Sequence, residues 1–403
     1  HKFFNAKYGE SLRSLLAEGK HLREIIHFGD QQVFANATTY TCLLFLNKKD
    51  REKFHIVQAH SLPVWRQGGA QLEGDILTNK LTPHEWNFIV GPGVELFERL
   101  SEMPVKLGDV ASKIFQGLVT GADQVFVMNN VSKAEYQSNS TGEIYHIEPE
   151  LMHPLCKGSV NLKRYNFSEI TKSILFPYKL ANGKAELLSA QELNQQFPNA
   201  LAYLKENRQK LEARERGKWK HDKWYAFGRS QNLAEMEQKK ILTPSIANRT
   251  SFTFDDSDFY YFVGSGGGGG GGYGIILRDE YVSINYLYLL GLLNSKLLDW
   301  FLKQASSTFR GGYYSYNRQF IEKIPIRTID LSDPNEKARH DRMVDLVEQM
   351  LDLHKKLAEA KEPQAKTVLQ RQIETTDRQI DQLVYDLYCL TEDEIKILEK
   401  GLE

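Results

Sequence analysis

The chain has 403 residues, of which 41% are hydrophobic and 26% charged, and its formal net charge is −1. That length accommodates two or three domains, and the near-zero charge confines any polyanion-binding surface to local clusters. Cys42, Cys156 and Cys389 lie far apart without a C-x-x-C pair, which argues against a zinc site or disulfide framework and for a reducing compartment. No apolar run reaches membrane-spanning length and no signal peptide is visible.

Tyr8 to Arg13 leads into a helix. Residues 22–28 and 39–46 read as strands, the second apolar and β-branched as a buried strand should be. Val33-Phe34 and the small polar bend Ala35-Asn36-Ala37 lie between them. This succession fits the end of an α/β domain, residues 1–58. Residues 59–105 read as a connector, punctuated by Leu62-Pro63, Gly68-Gly69, Pro83 and Gly91-Pro92-Gly93, with a short helix near Leu96 to Leu100.

In the stretch 106–128, Leu107, Val110 and Ile114 recur at helical spacing and predict a short amphipathic turn. Gln116-Gly117 and Thr120-Gly121 break it, and residues 125–128 read as a strand. Two readings stay open: a β-hairpin with glycine turns, or a surface loop offering Gln116, Thr120 and Asp123 to a partner. A basic turn, Lys163-Arg164-Tyr165, precedes a strand at 173–177. His153 and Cys156 have no further cysteine nearby, and Pro154 between them favours a turn over a metal pair.

Residues 200–216 read as a charged helix. From Lys205 to Lys223 cations recur among Trp219 and Trp224-Tyr225, with Lys218, Lys220 and Lys223 at the end of the run. The run is either a solvated helix face, as charge runs usually are, or a phosphate-facing strip with aromatic packing. A strand at 240–246 is followed by the polar turn Asn248-Arg249-Thr250-Ser251. Strands at 252–263 and 273–277 are joined by a glycine run, 266–272. It contains G-x-G-x-x-G trivially but has no following Lys-Ser/Thr and no βαβ context, so it is not a nucleotide loop.

Residues 286–301 read as one apolar core helix, shorter than a membrane span. The loop 306–318 places Arg310, Tyr313 and Arg318 beside Gly311-Gly312, where the backbone can approach a partner closely and polar side chains can bond phosphates or base edges. Residues 335–390 predict a helical hairpin: Met343, Val347, Met350, His354 and Leu357 line one face, Pro363 breaks the helix, and Leu369, Ile373, Thr376, Ile380, Leu383 and Leu387 line the other. Thr391 and Glu394 have the spacing of a capping box.

An ordered set of segments carries a family resemblance: KLGDVASKIFQGLVTGADQVFVM at 106–128, WYAFGR at 224–229, KKILTPSIA at 239–247, Leu-Asn-Ser-Lys at 293–296 and Ile-Pro-Ile at 324–326. Together they resemble the target-recognition (specificity) domain of TaqI-like adenine-specific (N6) DNA methyltransferases, including type IIG restriction–modification enzymes. The resemblance implies an α/β and α+β multidomain chain. Residues 1–58 would be the closing strands of a doubly wound class I methyltransferase sheet and 59–105 a connector. Residues 106–330 would form a mixed α+β specificity domain, and 331–403 a C-terminal helical hairpin available to other domains or subunits. The implied partner is double-stranded DNA, touched by Gln116, Thr120, Lys163, Arg164, Lys218, Lys220, Lys223, Arg249, Arg310, Tyr313 and Arg318.

The resemblance also implies the cofactor S-adenosylmethionine in the intact parent. The chain has no F-x-G-x-G glycine turn and no N-P-P-[YF] or D-P-P-Y tetrapeptide, so the cofactor site is not expected in it. No metal is implied. Phe34 falls at the family's aromatic that stacks on the flipped-out target adenine; the alternative is a core Phe before a strand. The implied setting is a bacterial or archaeal cytoplasm. Alternative functions are a BREX-type phage-defence methyltransferase without nuclease, a protein-interaction scaffold built on the hairpin, and a free-standing enzyme such as a nuclease. The nuclease reading is weakened because Glu237, Glu359 and Glu394 match E-x-K without a strand Asp partner.

Overall fold

The computed structural model describes residues 2–37, 39–59, 61–264 and 270–401; the first glycines of the 266–272 run lie outside the described residues. The chain is a mixed α and β multidomain molecule. The helix Glu10–Glu18 packs beside a four-stranded sheet ordered Cys42–Leu46, Leu22–His27, Lys53–Gln58, Leu72–Leu77. The first and last pairs are antiparallel and the middle pair is parallel. Leu22, Ile25, Phe54, Ile56 and Trp86 fill one face, and Ile26, Phe28, Val57 and Leu62 the other.

Two expectations change here. The segment read as a connector supplies the fourth strand, Leu72–Leu77, whose alternation of Leu72 and Ile76 with Glu73 and Asp75 half-buries it against Lys53–Gln58. The strand expected to be buried, Cys42–Leu46, is an edge strand with Leu43, Phe45 and Leu46 exposed.

In the 106–128 stretch the helical turn Leu107–Val110 stops before Ile114, which lies on the strand Ala111–Gln116. A second helical turn, Asp123–Phe126, precedes the strand Val127–Ser132. The stretch is not a hairpin, because its two strands enter different sheets. Ala111–Gln116 borders an antiparallel sheet ordered Thr253–Asp255, Lys240–Pro244, Gly272–Leu277, Ala111–Gln116. Val127–Ser132 lies in a six-stranded sheet ordered Tyr261–Phe262, Met152–Cys156, Lys172–Leu175, Val127–Ser132, Glu135–Ser138, Ile144–His146. Gly117 sits where the chain crosses between them; a Cβ there would lie 2.4 Å from the Phe262 carbonyl oxygen, so only glycine fits. The expected strand 252–263 is likewise divided between the two sheets, as Thr253–Asp255 and Tyr261–Phe262.

The expected single helix 286–301 is two, Tyr286–Leu293 and Lys296–Ala305. Asn294 and Ser295 cause the break. The Asn294 side chain accepts a hydrogen bond from the Phe252 N–H (3.0 Å) and donates one to the Phe252 carbonyl (2.8 Å). Ser295 caps the second helix by accepting from the Leu298 N–H. The hairpin comprises Pro334–Glu359 and Pro363–Leu387, each with Pro in its first turn, and the Thr391–Glu394 capping box is present.

The hairpin does not build a core of its own. Met343, Val347, Met350, Ile380 and Val384 are buried together with Ile241, Ile275, Leu290 and Leu298, and Leu96 and Leu100 of the helix Val94–Ser101 join them. A second core, around Phe126, Met128, Leu155, Ile174, Leu204 and Phe262, fills the six-stranded sheet. No helix of the described residues is long and apolar enough to cross a membrane.

Candidate nucleic-acid interface

The cationic run begins as a helix, but not the continuous one expected. Pro198–Glu206 and Arg208–Glu212 are separated at Asn207, whose buried amide accepts from the Ser140 hydroxyl (2.6 Å) and donates to the Tyr203 carbonyl (3.1 Å). Glu215, Arg216 and Gly217 then adopt φ of 48°, 62° and 84°. Left-handed backbone costs a non-glycine residue about 1–2 kcal/mol, so something must hold these residues there.

Arg214 does so. It is 9% exposed. Its Nε donates to the Leu211 carbonyl (2.8 Å), Nη1 to those of Thr120 and Ala226 (both 2.9 Å), and Nη2 to that of Trp224 (2.6 Å). The guanidinium also lies 4.1 Å from the Trp219 ring centre. Burial pulls its ionisation down to about 10, which leaves it charged at neutral pH. Gly121 and Gly228 meet beneath it, and the N–H groups of Gly228 and Arg229 donate to the carbonyls of Thr120 (2.9 Å) and Val119 (3.1 Å). Lys218, Lys220 and Lys223 are exposed on the resulting loop, with Arg216 and Arg229 beside them. The cations therefore occupy a pinned loop rather than a helix face.

Three residues expected to touch a partner are otherwise engaged. Thr120 is fully buried; its hydroxyl bonds to Asp123 and accepts from the Ala122 N–H. The Gln116 amide donates to the Gly264 carbonyl (2.9 Å). Arg164 donates to the Asn294 carbonyl (3.0 Å from Nε) and pairs with Asp377 (2.5 Å). These side chains fix the turn, the sheet crossing and the hairpin joint. Lys163 is exposed, its ammonium donating to the Ser159 carbonyl (2.6 Å).

A second surface forms around a three-stranded sheet ordered Ile246–Ala247, Tyr313–Ser315, Thr308–Phe309. Its hairpin turns at Arg310-Gly311-Gly312, where both glycines have positive φ (88° and 74°). Arg310 and Tyr313 are exposed at the tip, Arg249 just beyond Ala247, and Arg318 on the following turn, where it pairs with Glu322 (3.0 Å).

The hairpin reaches the segment just before the edge strand Cys42–Leu46. The Arg310 N–H donates to the Tyr40 hydroxyl (3.1 Å), and the Lys2 ammonium lies 4.5 Å from the Tyr40 ring and 5.2 Å from that of Phe309. Phe34, a few residues before Tyr40, is 56% exposed on a bend held by the Gln32 amide, which donates to the carbonyls of Phe34 (3.1 Å) and Ala35 (3.0 Å). It is not a core residue. A cavity of about 250 Å³ opens between the two units. His27, Asp30 and Gln58 line it from the carboxyl ends of the parallel strands, facing Lys303, Ser307 and Tyr314. Carboxyl ends of parallel strands are where open α/β sheets receive ligands.

Residues 185–326 match the TaqI-like C-terminal specificity domain. The matched domain includes both the pinned basic loop and the Arg310–Tyr313 hairpin. Residues before it complete its sheets: Ala111–Gln116 pairs with Gly272–Leu277, and Lys106 bridges to Pro325. The whole chain is similar to named restriction–modification proteins. It is 27% identical to the type II restriction enzyme and methyltransferase RM.Eco57I of Escherichia coli over 96% of this chain and 40% of that protein. It is 22% identical to the type II methyltransferase M.BstVI of Geobacillus stearothermophilus over 100% of this chain and 65% of that protein. For M.HindII of Haemophilus influenzae the figures are 21%, 87% and 67%. The chain thus spans well under half the length of the first of these relatives.

Arg214 and Arg216 belong to the cationic run 205–223, but the sequence does not separate the buried Arg214 from its exposed neighbours, and it does not mark Arg229 as a surface cation. WYAFGR ends on Arg229, and that motif was the available signal. Lys240, inside KKILTPSIA, is a fully buried lysine paired with Asp255 at 2.6 Å; it supports the specificity domain from within.

Proposed function

We propose that this chain is the DNA sequence-recognition portion of a type II, adenine-N6 methyltransferase of a restriction–modification system. Residues 106–326 would choose the site, and the first sheet would be the closing part of the methyltransferase domain. One observation carries the reading: the segment matching the specificity domain exposes the basic loop and the Arg310–Tyr313 hairpin, and that hairpin contacts the segment following exposed Phe34.

In this reading Lys218, Lys220 and Lys223 meet phosphates, which position the protein without reading sequence, while Arg310, Tyr313, Arg249 and Arg318 approach base edges. Phe34 stacks on the extruded adenine. The residues present do not fit the cofactor: the parallel strands Leu22–His27 and Lys53–Gln58 are followed by neither a glycine turn of the F-x-G-x-G type nor an N-P-P-[YF] tetrapeptide. S-adenosylmethionine is therefore assigned to another part of the parent polypeptide. The hairpin Pro334–Leu387 buries its apolar stripe on this chain's own core, which favours an internal strut over a scaffold for other proteins.

The test uses the full-length parent and duplexes with and without its site. Lys218→Ala, Lys220→Ala and Lys223→Ala together should weaken binding about equally on both duplexes and lower the slope of log K against log salt by about 2–3, at ~0.9 per phosphate contact. Arg310→Ala or Tyr313→Ala should instead weaken the cognate duplex more. A triple variant that binds like wild type at moderate salt would overturn the assignment of the loop.

A further inference from the structure

We propose that Arg214 is the positioning residue of the DNA-facing loop, holding Arg216, Lys218 and Lys220 in the one backbone arrangement that meets consecutive phosphates. The inference deepens the reading of 106–326 as a DNA specificity domain and rests on it. Three observations carry it. Arg214 is buried, and its guanidinium gathers the carbonyls of Leu211, Thr120, Trp224 and Ala226, which come from three separate segments. The residues immediately after it, Glu215 to Gly217, hold three successive positive φ values, a conformation that surrounding structure must impose. Trp219, between the exposed Lys218 and Lys220, closes over the guanidinium.

The geometry explains why a lysine does not suffice. An ammonium is a point donor and cannot present the planar fork that reaches carbonyls on three sides while lying flat under an indole ring. Without the fork the loop keeps its charges but loses their fixed spacing, and a flexible array of cations orders fewer counterion-releasing contacts on binding.

The experiment compares Arg214→Lys and Trp219→Ala in the full-length parent with wild type and with the triple lysine-to-alanine variant. DNA affinity is measured from low to moderate salt, alongside thermal unfolding and trypsin cleavage within 216–223. Arg214→Lys should lower affinity about tenfold and reduce the salt slope by about two, with net charge unchanged, at ~0.9 per phosphate contact. Trp219→Ala should do the same more weakly. Both should speed cleavage of the loop while the rest of the chain stays protected. If Arg214→Lys fails to fold, Trp219→Ala decides by the same readings. Normal affinity and slope in the folded Arg214 or Trp219 variants, with the triple variant impaired, overturns the role of Arg214 alone. An unimpaired triple variant overturns both the loop's contact with DNA and the role of Arg214 in it.

Discussion

Arg164 and Arg214 both place their guanidinium groups against main-chain carbonyls, yet their surroundings divide them. Arg164 sits at a joint. It bonds to the Asn294 carbonyl between two helices and to Asp377 of the hairpin, with Asp381 one helical turn further on. Its charge is matched internally, and none is left for a partner. Arg214 has four carbonyls and an indole ring around it, and the exposed cations on its loop face solvent. One arginine therefore ties the hairpin to the specificity segment, while the other sits beneath a charged loop.

The largest effect should come from the joint. Arg164→Ala leaves Asp377 facing its vacated site and the Asn294 carbonyl without its donor. Breaking a buried pair costs about 3–5 kcal/mol; because Asp377 keeps some water, the lower end, about 3 kcal/mol, is expected in urea unfolding. The salt slope of DNA binding should not change in the folded fraction. A changed slope would erase the distinction between the two arginines.

Asp381 supplies the next. Burial raises its carboxyl to about 6, against an ordinary value near 4. Between those values the folded chain holds a proton that the unfolded chain has released, so stability should fall as pH rises from about 4 to about 6, by roughly 2 kcal/mol. Asp381→Asn keeps an oxygen to accept the Lys296 N–H, which the native side chain does at 2.9 Å, and should remove that part of the profile. Urea midpoints of both proteins at pH 4.5 and 7 measure it; parallel profiles would contradict the assignment.

How much of this was legible depended on the kind of residue. The hairpin stripes, the Thr391–Glu394 cap and the closeness required at Gly117 follow from periodicity, capping chemistry and the absence of a Cβ, all of which act locally. The fates of the cations do not. Arg164 meets Asp377 across 213 positions, and Arg214 meets Thr120 across 94. Nothing in Lys163-Arg164-Tyr165 or in the run 205–223 marks which guanidinium is buried. The break at Asn294 was hidden for the same reason: sixteen largely apolar residues read as one helix until the Phe252 backbone arrives to bond the asparagine. The strand Leu72–Leu77 was missed because its half-polar alternation sits among glycines and prolines.

A smaller effect is expected at Phe34. Because its side chain is exposed, Phe34→Ala should change folding stability by less than about 0.5 kcal/mol. In the full-length parent it should slow methylation and reduce 2-aminopurine fluorescence at the target position, since stacking on an aromatic is worth ~1–3 kcal/mol per base. Phe34→Trp should retain more activity than Phe34→Leu. Loss of folding in Phe34→Ala, or unchanged rate and fluorescence, would remove Phe34 from the site.

The most direct measurement exchanges residues 106–326 in the full-length parent for the corresponding segment of a relative with a different known target, followed by sequencing of the methylated sites in DNA treated with the chimera. Methylation that moves to the donor's sequence is the expected result. An active chimera that still methylates the original sequence would contradict the assignment of site choice to this domain.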